Sequence, residues 1–207
     1  RKLTSDVIRP YLGFPSVMRP ASLYWTQDGH ILFLGESSGE SFIYQTSTGV
    51  EVPNEGGNTE ILWGGDCLAT GLAVNQTADQ AVVVVSSPDS PAELFQIDIP
   101  IGGSIQISNH NGDYIKDHPA AGFEKFLIIR PEFEVECRMY FPSDFDEESI
   151  YPLILDIHGG PNGAFYDSFV PAQQVLASAG YLVLAVNPRG SSTYGTEFMM
   201  SVLGDWG

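Results

Sequence analysis

Two short and almost entirely apolar segments flank a stretch with helical periodicity near the end of the chain. Residues 152–157 (PLILDI) and 181–186 (YLVLAV) have the length of strands, and continuous apolar character is typical of parallel strands that helices cover on both faces. Between them, residues 169–179 predict a helix, and Gly180 stands where a helix C-cap is common. The apolar stripe of this helix is predicted to comprise Phe169, Ala172, Leu176 and Ala179. The pattern therefore predicts a strand–helix–strand unit.

An antiparallel hairpin is predicted before this unit, with strands at 126–129 and 133–140. The second strand alternates between apolar and polar side chains, which is typical of a strand with one face in solvent. Its predicted apolar face comprises Phe133, Val135, Cys137 and Met139, and its predicted polar face comprises Glu134, Glu136, Arg138 and Tyr140. We therefore expect a half-exposed hairpin at a sheet edge. A hairpin followed by a strand–helix–strand unit is the opening order of an α/β-hydrolase sheet.

The first part of the chain has the pattern of β structure throughout. Four short strands are predicted across turn-rich links, 31–34 with 42–45 and 81–85 with 93–97. The two pairs recur after about 50 residues, which is a blade-like period. We therefore predict that 1–118 holds the last blades of a β-propeller and that 119–207 holds the start of an α/β-hydrolase domain. An ordinary antiparallel sandwich is the alternative for the first part.

Charge and cysteine content exclude several classes of partner. The 207 residues carry nine Lys and Arg against 26 Asp and Glu, a formal net charge of −17. Nucleic acids and anionic membrane surfaces require clustered basic residues, so neither is an expected partner. No apolar run approaches the ~18 residues of a membrane span. The two cysteines, Cys67 and Cys137, fit no metal spacing, and we expect buried free thiols in a reducing, cytoplasmic compartment.

A glycine-rich loop, His158-Gly159-Gly160-Pro161, directly follows the first buried strand. Two glycines at the C-terminal end of a strand let the backbone turn sharply and approach a ligand closely. Their N–H groups can then face the carbonyl oxygen of a substrate, as the oxyanion-hole loop of an α/β-hydrolase does. A Gly-Gly turn without a ligand is the alternative, because short glycine patterns are common.

Three further motifs follow the second buried strand in a fixed order. They are NPRGS at 187–191, YGTEF at 194–198 and GDWG at 204–207. Together with the glycine-rich loop, they resemble the prolyl oligopeptidase family, particularly its acylaminoacyl-peptidase and dipeptidyl-peptidase-like branch. The resemblance is strong over 151–207 and moderate over 80–150. It implies a serine peptidase that hydrolyses short peptides by acyl transfer, without cofactor or metal.

The resemblance also implies roles for individual residues. The backbone N–H of Gly160 would be an oxyanion donor, in a loop that is shaped by His158, Gly159 and Pro161. A second loop beside the active site would contain Asn187, Arg189, Gly190 and Tyr194. In this loop we favour a bracing role for Asn187 and Arg189 over proton transfer, with substrate contact by the arginine as the alternative.

The chain departs from the family pattern in two places. Thr193 stands where a glycine is usual, and the turn at Pro131 and Glu132 lacks the usual Asp-Gly pair. Neither position is a known catalytic group of the family, so the assignment is retained.

None of the three triad residues is expected within this chain. In the family the nucleophile lies some tens of residues beyond the GDWG motif, and the order Ser, Asp, His along the chain disfavours a triad role for His158. A literal G-x-S-x-G occurs at 35–39, but strands are predicted on both sides of it, whereas a nucleophile elbow leads into a helix. We therefore interpret 35–39 as a hairpin loop between blade strands.

Two other functions remain open from the sequence. One is a catalytically dead protein of the same architecture that acts as a binding module, and the other is an α/β-hydrolase esterase. Because the chain starts at Arg1 and ends in mid-pattern at Gly207, we expect an internal segment. Without the triad it is expected to be inactive, and its partial sheets are expected to leave open edges and an uncovered apolar face, so that it folds poorly by itself. Self-association of the parent protein into a homo-oligomer is left open.

Overall fold

The computed structural model describes residues 9–10, 23–47, 59–160 and 162–205. Within these ranges the chain forms three sheets and three short helices. The first two sheets are entirely antiparallel, and the third combines an antiparallel hairpin with a parallel pair. The strands that were predicted from the sequence are therefore distributed over three sheets.

The first sheet is an antiparallel meander built around one tight hairpin. Its strands are β1 (Arg9–Pro10), β2 (Leu23–Trp25), β3 (His30–Ser37), β4 (Glu40–Ser47) and β5 (Thr59–Gly64). The turn between β3 and β4 consists of Ser38 and Gly39, both with positive φ (51° and 73°). Two central residues with positive φ define the type I′ turn, whose twist matches that of the flanking strands. The predicted hairpin at 35–39 is therefore present, and its serines lie at a strand end and in a turn.

The second sheet repeats the meander and shares a core with the first. Its strands, in spatial order, are β6 (Leu68–Val74), β7 (Gln80–Ser87), β8 (Ser90–Asp98) and β9 (Gly103–Gln106). Both predicted strand pairs are neighbouring strands, 31–34 with 42–45 in the first sheet and 81–85 with 93–97 in the second. The shared core includes Leu32, Ile43, Ala69, Val83 and Ile97, which are all fully buried.

A short helix, α1 (Gly112–Asp117), connects these sheets to the third. The carboxylate of Glu93 in β8 anchors the chain just before this helix, because it accepts hydrogen bonds from the backbone N–H of Asn111 (2.6 Å) and from its side-chain amide (2.9 Å). The hydroxyl of Ser108 also donates to Glu93. The connection is thereby held against the edge of the second sheet.

The third sheet has the strand order β10–β11–β13–β12. Its elements are β10 (Gly122–Ile129), β11 (Glu134–Phe141), β12 (Leu153–Asp156), α2 (Pro171–Ser178), β13 (Leu182–Asn187) and α3 (Thr196–Met200). Strands β12 and β13 are parallel and are connected through α2, as the strand–helix–strand pattern predicts. Gly180 has φ +89° after α2, the left-handed conformation that favours glycine at a helix C-terminus.

Strand β11 differs from its prediction. It lies inside the sheet, between β10 and β13, and its polar face is the buried one. Glu136, Arg138 and Tyr140 are 7%, 1% and 0% exposed. The hairpin of β10 and β11 lies at one edge of the sheet, as predicted. The expectation that the polar face of β11 lies in solvent was wrong, because Arg138 pairs with Asp167 and Glu136 accepts the Tyr194 hydroxyl.

The buried stripe of α2 also differs from the prediction. Gln173, Gln174 and Ala177 face inward, whereas Ala172 and Val175 are exposed. The amide of Gln174 accepts the backbone N–H of Ala121 at 2.8 Å and donates to the carbonyl of Pro88 at 2.9 Å. Because the helix packs through these hydrogen bonds, its glutamines occupy the positions that an apolar stripe would otherwise fill.

Strand β12 is less covered than its apolar sequence predicts. Leu153 and Leu155 are each 55% exposed, and Ile157, just after the strand, is 76% exposed. Among the described residues β12 forms an edge of the sheet, which agrees with the open edge and uncovered apolar face expected of a partial parallel sheet.

Candidate active-site loops

The loop that follows β12 places two glycines at the surface. Gly159 and Gly160 are exposed, and Pro161 lies outside the described residues. A Cβ at Gly160 would lie 2.7 Å from the backbone N of Asn162 and 2.8 Å from that of Gly163, whereas one at Gly159 would meet nothing within 4 Å. The loop is therefore tightly wound at Gly160 and open at Gly159.

The His158 side chain connects this loop to the one that follows β13. Its Nε2 lies 2.9 Å from Oγ of Ser191, and its Nδ1 lies 2.9 Å from the carbonyl oxygen of Gly159. The Oγ of Ser191 also lies 2.7 Å from the carbonyl oxygen of Pro188, to which its hydroxyl donates. The two loops are therefore hydrogen-bonded at neighbouring strand ends.

Ser191 and His158 must also be considered as a nucleophile–base pair. Ser191 is 0% exposed, and its hydroxyl is engaged by Pro188. The other nitrogen of His158 faces a backbone carbonyl, not the carboxylate that orients a catalytic histidine. A substrate carbonyl has no access to this serine, so the pair positions the loops.

Asn187 ends β13 and is fully buried. Its side-chain carbonyl accepts the backbone N–H of Phe165 at 2.7 Å, and its amide donates to the carbonyl of Phe165 at 3.0 Å. The same amide donates to the hydroxyl of Tyr194 at 2.6 Å. Asn187 thus fixes two loops to the strand end at once, and all its contacts are with the protein itself.

Arg189 and Gly190 attach the same loop to the end of the chain. The guanidinium of Arg189 donates to the carbonyl of Ser201 at 3.2 Å and pairs with the Asp205 carboxylate at 3.0 Å. Gly190 has φ +97°, and a Cβ there would lie 2.8 Å and 2.9 Å from the methyl groups of Val202. Glycine is therefore required at this position both by conformation and by space.

A buried ionic network lies beneath the loops. Arg138 contacts two carboxylates, Asp167 through Nε (2.8 Å) and Nη2 (2.7 Å) and Glu136 through Nη2 (2.7 Å). Glu136 in turn accepts the Tyr194 hydroxyl at 2.7 Å, and burial together with this carboxylate raises the pKa of Tyr194. The chain of contacts therefore extends from Asn187 at the strand end to Asp167 in the loop before α2.

Lys125 extends the network to the first sheet. Its ammonium contacts Asp167 at 2.8 Å and is paired with Glu40 of β4. Burial lowers the pKa of Lys125, but the hydrogen bonds to Asp167 and Glu40 raise it more, so the net shift is upward. Glu40, Asp66 and Asp167 converge closely enough to hold a metal ion, yet the Lys125 ammonium lies among all three, 4.0 Å from Asp66. The positive charge at this position is supplied by the protein itself.

The β3–β4 turn packs directly on the third sheet. A Cβ at Gly39 would lie 2.3 Å from Nη2 of Arg138, so only glycine lets the guanidinium approach this closely. The backbone N–H groups of Ser38 and Gly39 donate to the carbonyl and to Oγ1 of Thr193, both at 2.9 Å. The G-x-S-x-G segment is therefore a contact between sheets.

Sequence reasoning missed the roles of Glu136, Arg138 and Asp167. Charged side chains at alternate positions of β11 gave a signal, but alternation alone does not distinguish a face in solvent from one that faces buried partners. It also missed that Thr193, noted only as a departure from the family, receives two hydrogen bonds from a turn more than 150 residues away.

Comparison with known proteins gives matches to peptidases. Residues 167–207 match the model of the prolyl oligopeptidase family. The peptidase YuxL of Bacillus subtilis, itself uncharacterized, is 36% identical over 128 residues, which cover 61% of this chain and 19% of that protein. A probable dipeptidyl-peptidase 5 of Emericella nidulans is 40% identical over 76 residues, covering 36% of this chain and 10% of that protein. These matches confirm the recognition of the prolyl oligopeptidase family.

Solved structures give the same fold. The acylaminoacyl peptidase of Pyrococcus horikoshii superposes with a TM-score of 0.70 at 23% identity, covering 88% of this chain and 28% of that one. Dipeptidyl peptidase 4 of Porphyromonas gingivalis superposes with a TM-score of 0.69 at 18% identity, covering 98% and 28%. The chain thus spans between a tenth and about three tenths of these proteins. No helix among the described residues is long and apolar enough to cross a membrane.

Proposed function

We propose that this chain is a segment of a serine-type peptidase that hydrolyses peptide bonds of short peptides by acyl transfer. In this proposal 1–118 contributes the last blades of a β-propeller and 119–207 the opening of an α/β-hydrolase domain. Two successive antiparallel meanders that share a core support the first part. The antiparallel hairpin followed by a parallel strand–helix–strand unit supports the second.

The observation that carries the proposal is the meeting of two loops at one sheet edge. Strands β12 and β13 are parallel neighbours, so their carboxyl ends lie side by side, where α/β proteins bind ligands. The loops after them are joined by the His158–Ser191 hydrogen bond, and the glycines of the first loop remain exposed. An exposed glycine loop on a braced support is suited to hold backbone donors in one orientation.

In the proposed reaction this chain stabilises the negative charge that develops on the substrate's carbonyl oxygen. A serine hydroxyl attacks the scissile carbonyl carbon, its proton passes to a histidine, and the carbonyl oxygen becomes an oxyanion. The N–H of Gly160 donates to that oxyanion together with the N–H of the residue after the serine. The serine, aspartate and histidine of the triad belong to the parent protein outside this chain. Arg189 and Asn187 brace the second loop through the contacts described above.

The proposal is tested on the parent protein by fluorophosphonate labelling and by hydrolysis of short peptide substrates. Gly160→Ala places a methyl group against two backbone nitrogens and displaces the proposed donor, whereas Gly159→Ala points into open space and is the matched control. Losing one oxyanion donor reduces kcat about 10²–10³-fold, so we expect that loss for Gly160→Ala and near-wild-type kcat for Gly159→Ala.

Three outcomes contradict the proposal. A wild-type parent that neither labels nor hydrolyses peptides is the catalytically dead binding module. A parent that hydrolyses simple esters but not peptides is an esterase. If both alanine variants retain full kcat while the wild type is active, the oxyanion role of Gly160 is wrong.

A further inference from the structure

The three residues 191–193 form a bridge between the first sheet and the glycine loop. All three are buried, with Ser191 and Ser192 at 0% and Thr193 at 5% exposed. Ser191 Oγ is hydrogen-bonded to Nε2 of His158 at 2.9 Å, and the backbone N–H of Ser192 donates to the carbonyl of Gly163 at 2.9 Å. On its other side the bridge contacts the β3–β4 turn through Thr193. Each residue of the bridge thus makes a different connection.

Thr193 has a backbone conformation that is unusual for its residue type. Its φ is +75°, and a β-branched residue with positive φ is an outlier. Such conformations persist only where the surroundings over-determine them, and they cluster at functional sites. The over-determining contacts here come from the turn, since the N–H groups of Ser38 and Gly39 bind the carbonyl oxygen and Oγ1 of Thr193.

The side chain of Thr193 supplies what a glycine would not. Glycine adopts positive φ without strain, but it offers no acceptor to the N–H of Gly39, which is itself buried. A buried N–H without a partner costs free energy. The threonine hydroxyl avoids this cost by accepting the N–H of Gly39, although the positive φ strains the backbone at Thr193. The presence of threonine at this position is therefore explained by the turn on which it packs.

We propose that Thr193 is a positioning residue through which the β3–β4 turn sets the orientation of the glycine loop. The inference rests on the proposed function, since it assigns to Thr193 an indirect effect on the Gly160 donor. The β3–β4 turn is hydrogen-bonded to Thr193, which directly follows Ser191 and Ser192 in the chain. These two serines are hydrogen-bonded to His158 and to Gly163 of the glycine loop. Loss of the first contact therefore tilts the donor, which acts in the transition state and not in substrate binding.

The test uses four variants of the parent protein. Thr193→Val keeps the β-branch but removes the acceptor, Thr193→Ser keeps the acceptor, and Thr193→Gly removes both the strain and the acceptor. Thr77→Val is the matched control, because Thr77 is exposed in the β6–β7 turn and bonds only locally, to Asp79. The kcat and KM for a peptide substrate are measured for each variant.

We expect Thr193→Val and Thr193→Gly to lower kcat about 10–10²-fold with KM little changed, because displacement of catalytic groups by about 1 Å costs up to about 10²-fold. Thr193→Ser and Thr77→Val should retain wild-type kcat. Wild-type kcat in both Thr193→Val and Thr193→Gly would overturn the inference, as would a loss in Thr193→Ser equal to that in Thr193→Val. If Thr193→Val does not fold, Thr193→Gly decides, since it carries no strain.

Hydrogen exchange separates failure of the inference from failure of the proposed function. Peptides spanning 158–166 and 188–194 contain the hydrogen-bonded amides of Phe165 and Ser192. Faster exchange of both peptides in Thr193→Val, but not in Thr193→Ser, supports the coupling even when the parent lacks peptidase activity. Unchanged exchange in Thr193→Val refutes the coupling whatever the activity of the wild type.

Discussion

Replacement of Arg138 by methionine tests whether the buried ionic network stabilises the contact between sheets. The guanidinium is 1% exposed and makes three contacts below 3 Å with Asp167 and Glu136. Methionine has similar length and no charge, so Arg138→Met leaves two buried carboxylates without their common partner. Removing one partner of a buried ion pair costs about 3–5 kcal/mol. Asp167 keeps Lys125, and Glu136 keeps the Tyr194 hydroxyl, so we expect the lower end, about 3 kcal/mol.

Native-state hydrogen exchange of the parent protein measures this cost locally. A loss of about 3 kcal/mol corresponds to an increase of about 10²-fold in the exchange rate of protected β11 amides, since 1.4 kcal/mol is a factor of ten. The double variant Arg138→Met, Asp167→Leu also removes one of the two carboxylates that lose Arg138, so the cost should be well below the sum of the two single variants. Amides of β11 that exchange within a few-fold of the wild-type rate in Arg138→Met would refute the reasoning.

Two further predictions concern the loop after β13 and the link before α1. Gly190→Ala combines a positive φ with a methyl group 2.8 Å from Val202, so we expect a loss of about 1–3 kcal/mol and a lower thermal midpoint, and an unchanged midpoint would contradict this. Burial raises the pKa of Glu93, but hydrogen bonds, first from the Ser108 hydroxyl and then from the N–H of Asn111, lower it to about 2. The hydrogen bonds to ionised Glu93 stabilise the link above pH 4.5, the unfolded pKa, and this stabilisation is lost as the pH falls towards about 2. Pepsin cleavage within 107–118 should therefore rise as the pH falls through this range, and this rise should be absent in Glu93→Gln.

Local signals in the sequence predicted the elements of the fold well. Alternation and turn residues placed the blade-like strand pairs, and Gly180 marked the end of α2, because a left-handed cap favours glycine whatever surrounds it. The strand after 35–39 was sufficient to distinguish a hairpin from a nucleophile elbow, and the Ser38–Gly39 turn confirms it. These features depend on short stretches of chain.

What the sequence did not predict depends on contacts between distant segments. The polar face of β11 is buried because Asp167 and Lys125 meet it, and nothing near Arg138 in the sequence indicates those partners. The inward face of α2 is polar because Gln174 bridges Pro88 and Ala121. In both cases tertiary hydrogen bonds override the expectation that charged and amide side chains face water.

The close approach of Gly39 to Arg138 restricts how this chain can be recombined with its relatives. The turn on one sheet and the guanidinium on the other fit only as a matched pair, since any side chain at position 39 would occupy the space of Nη2. A chimaera that takes its first sheet from one relative and its third from another receives position 39 from the first relative and position 138 from the second. Exchanges that fold should therefore keep Gly39 and Arg138 together. A chimaera joined within the 107–118 link should be less sensitive to sequence differences elsewhere than to a change at this one contact.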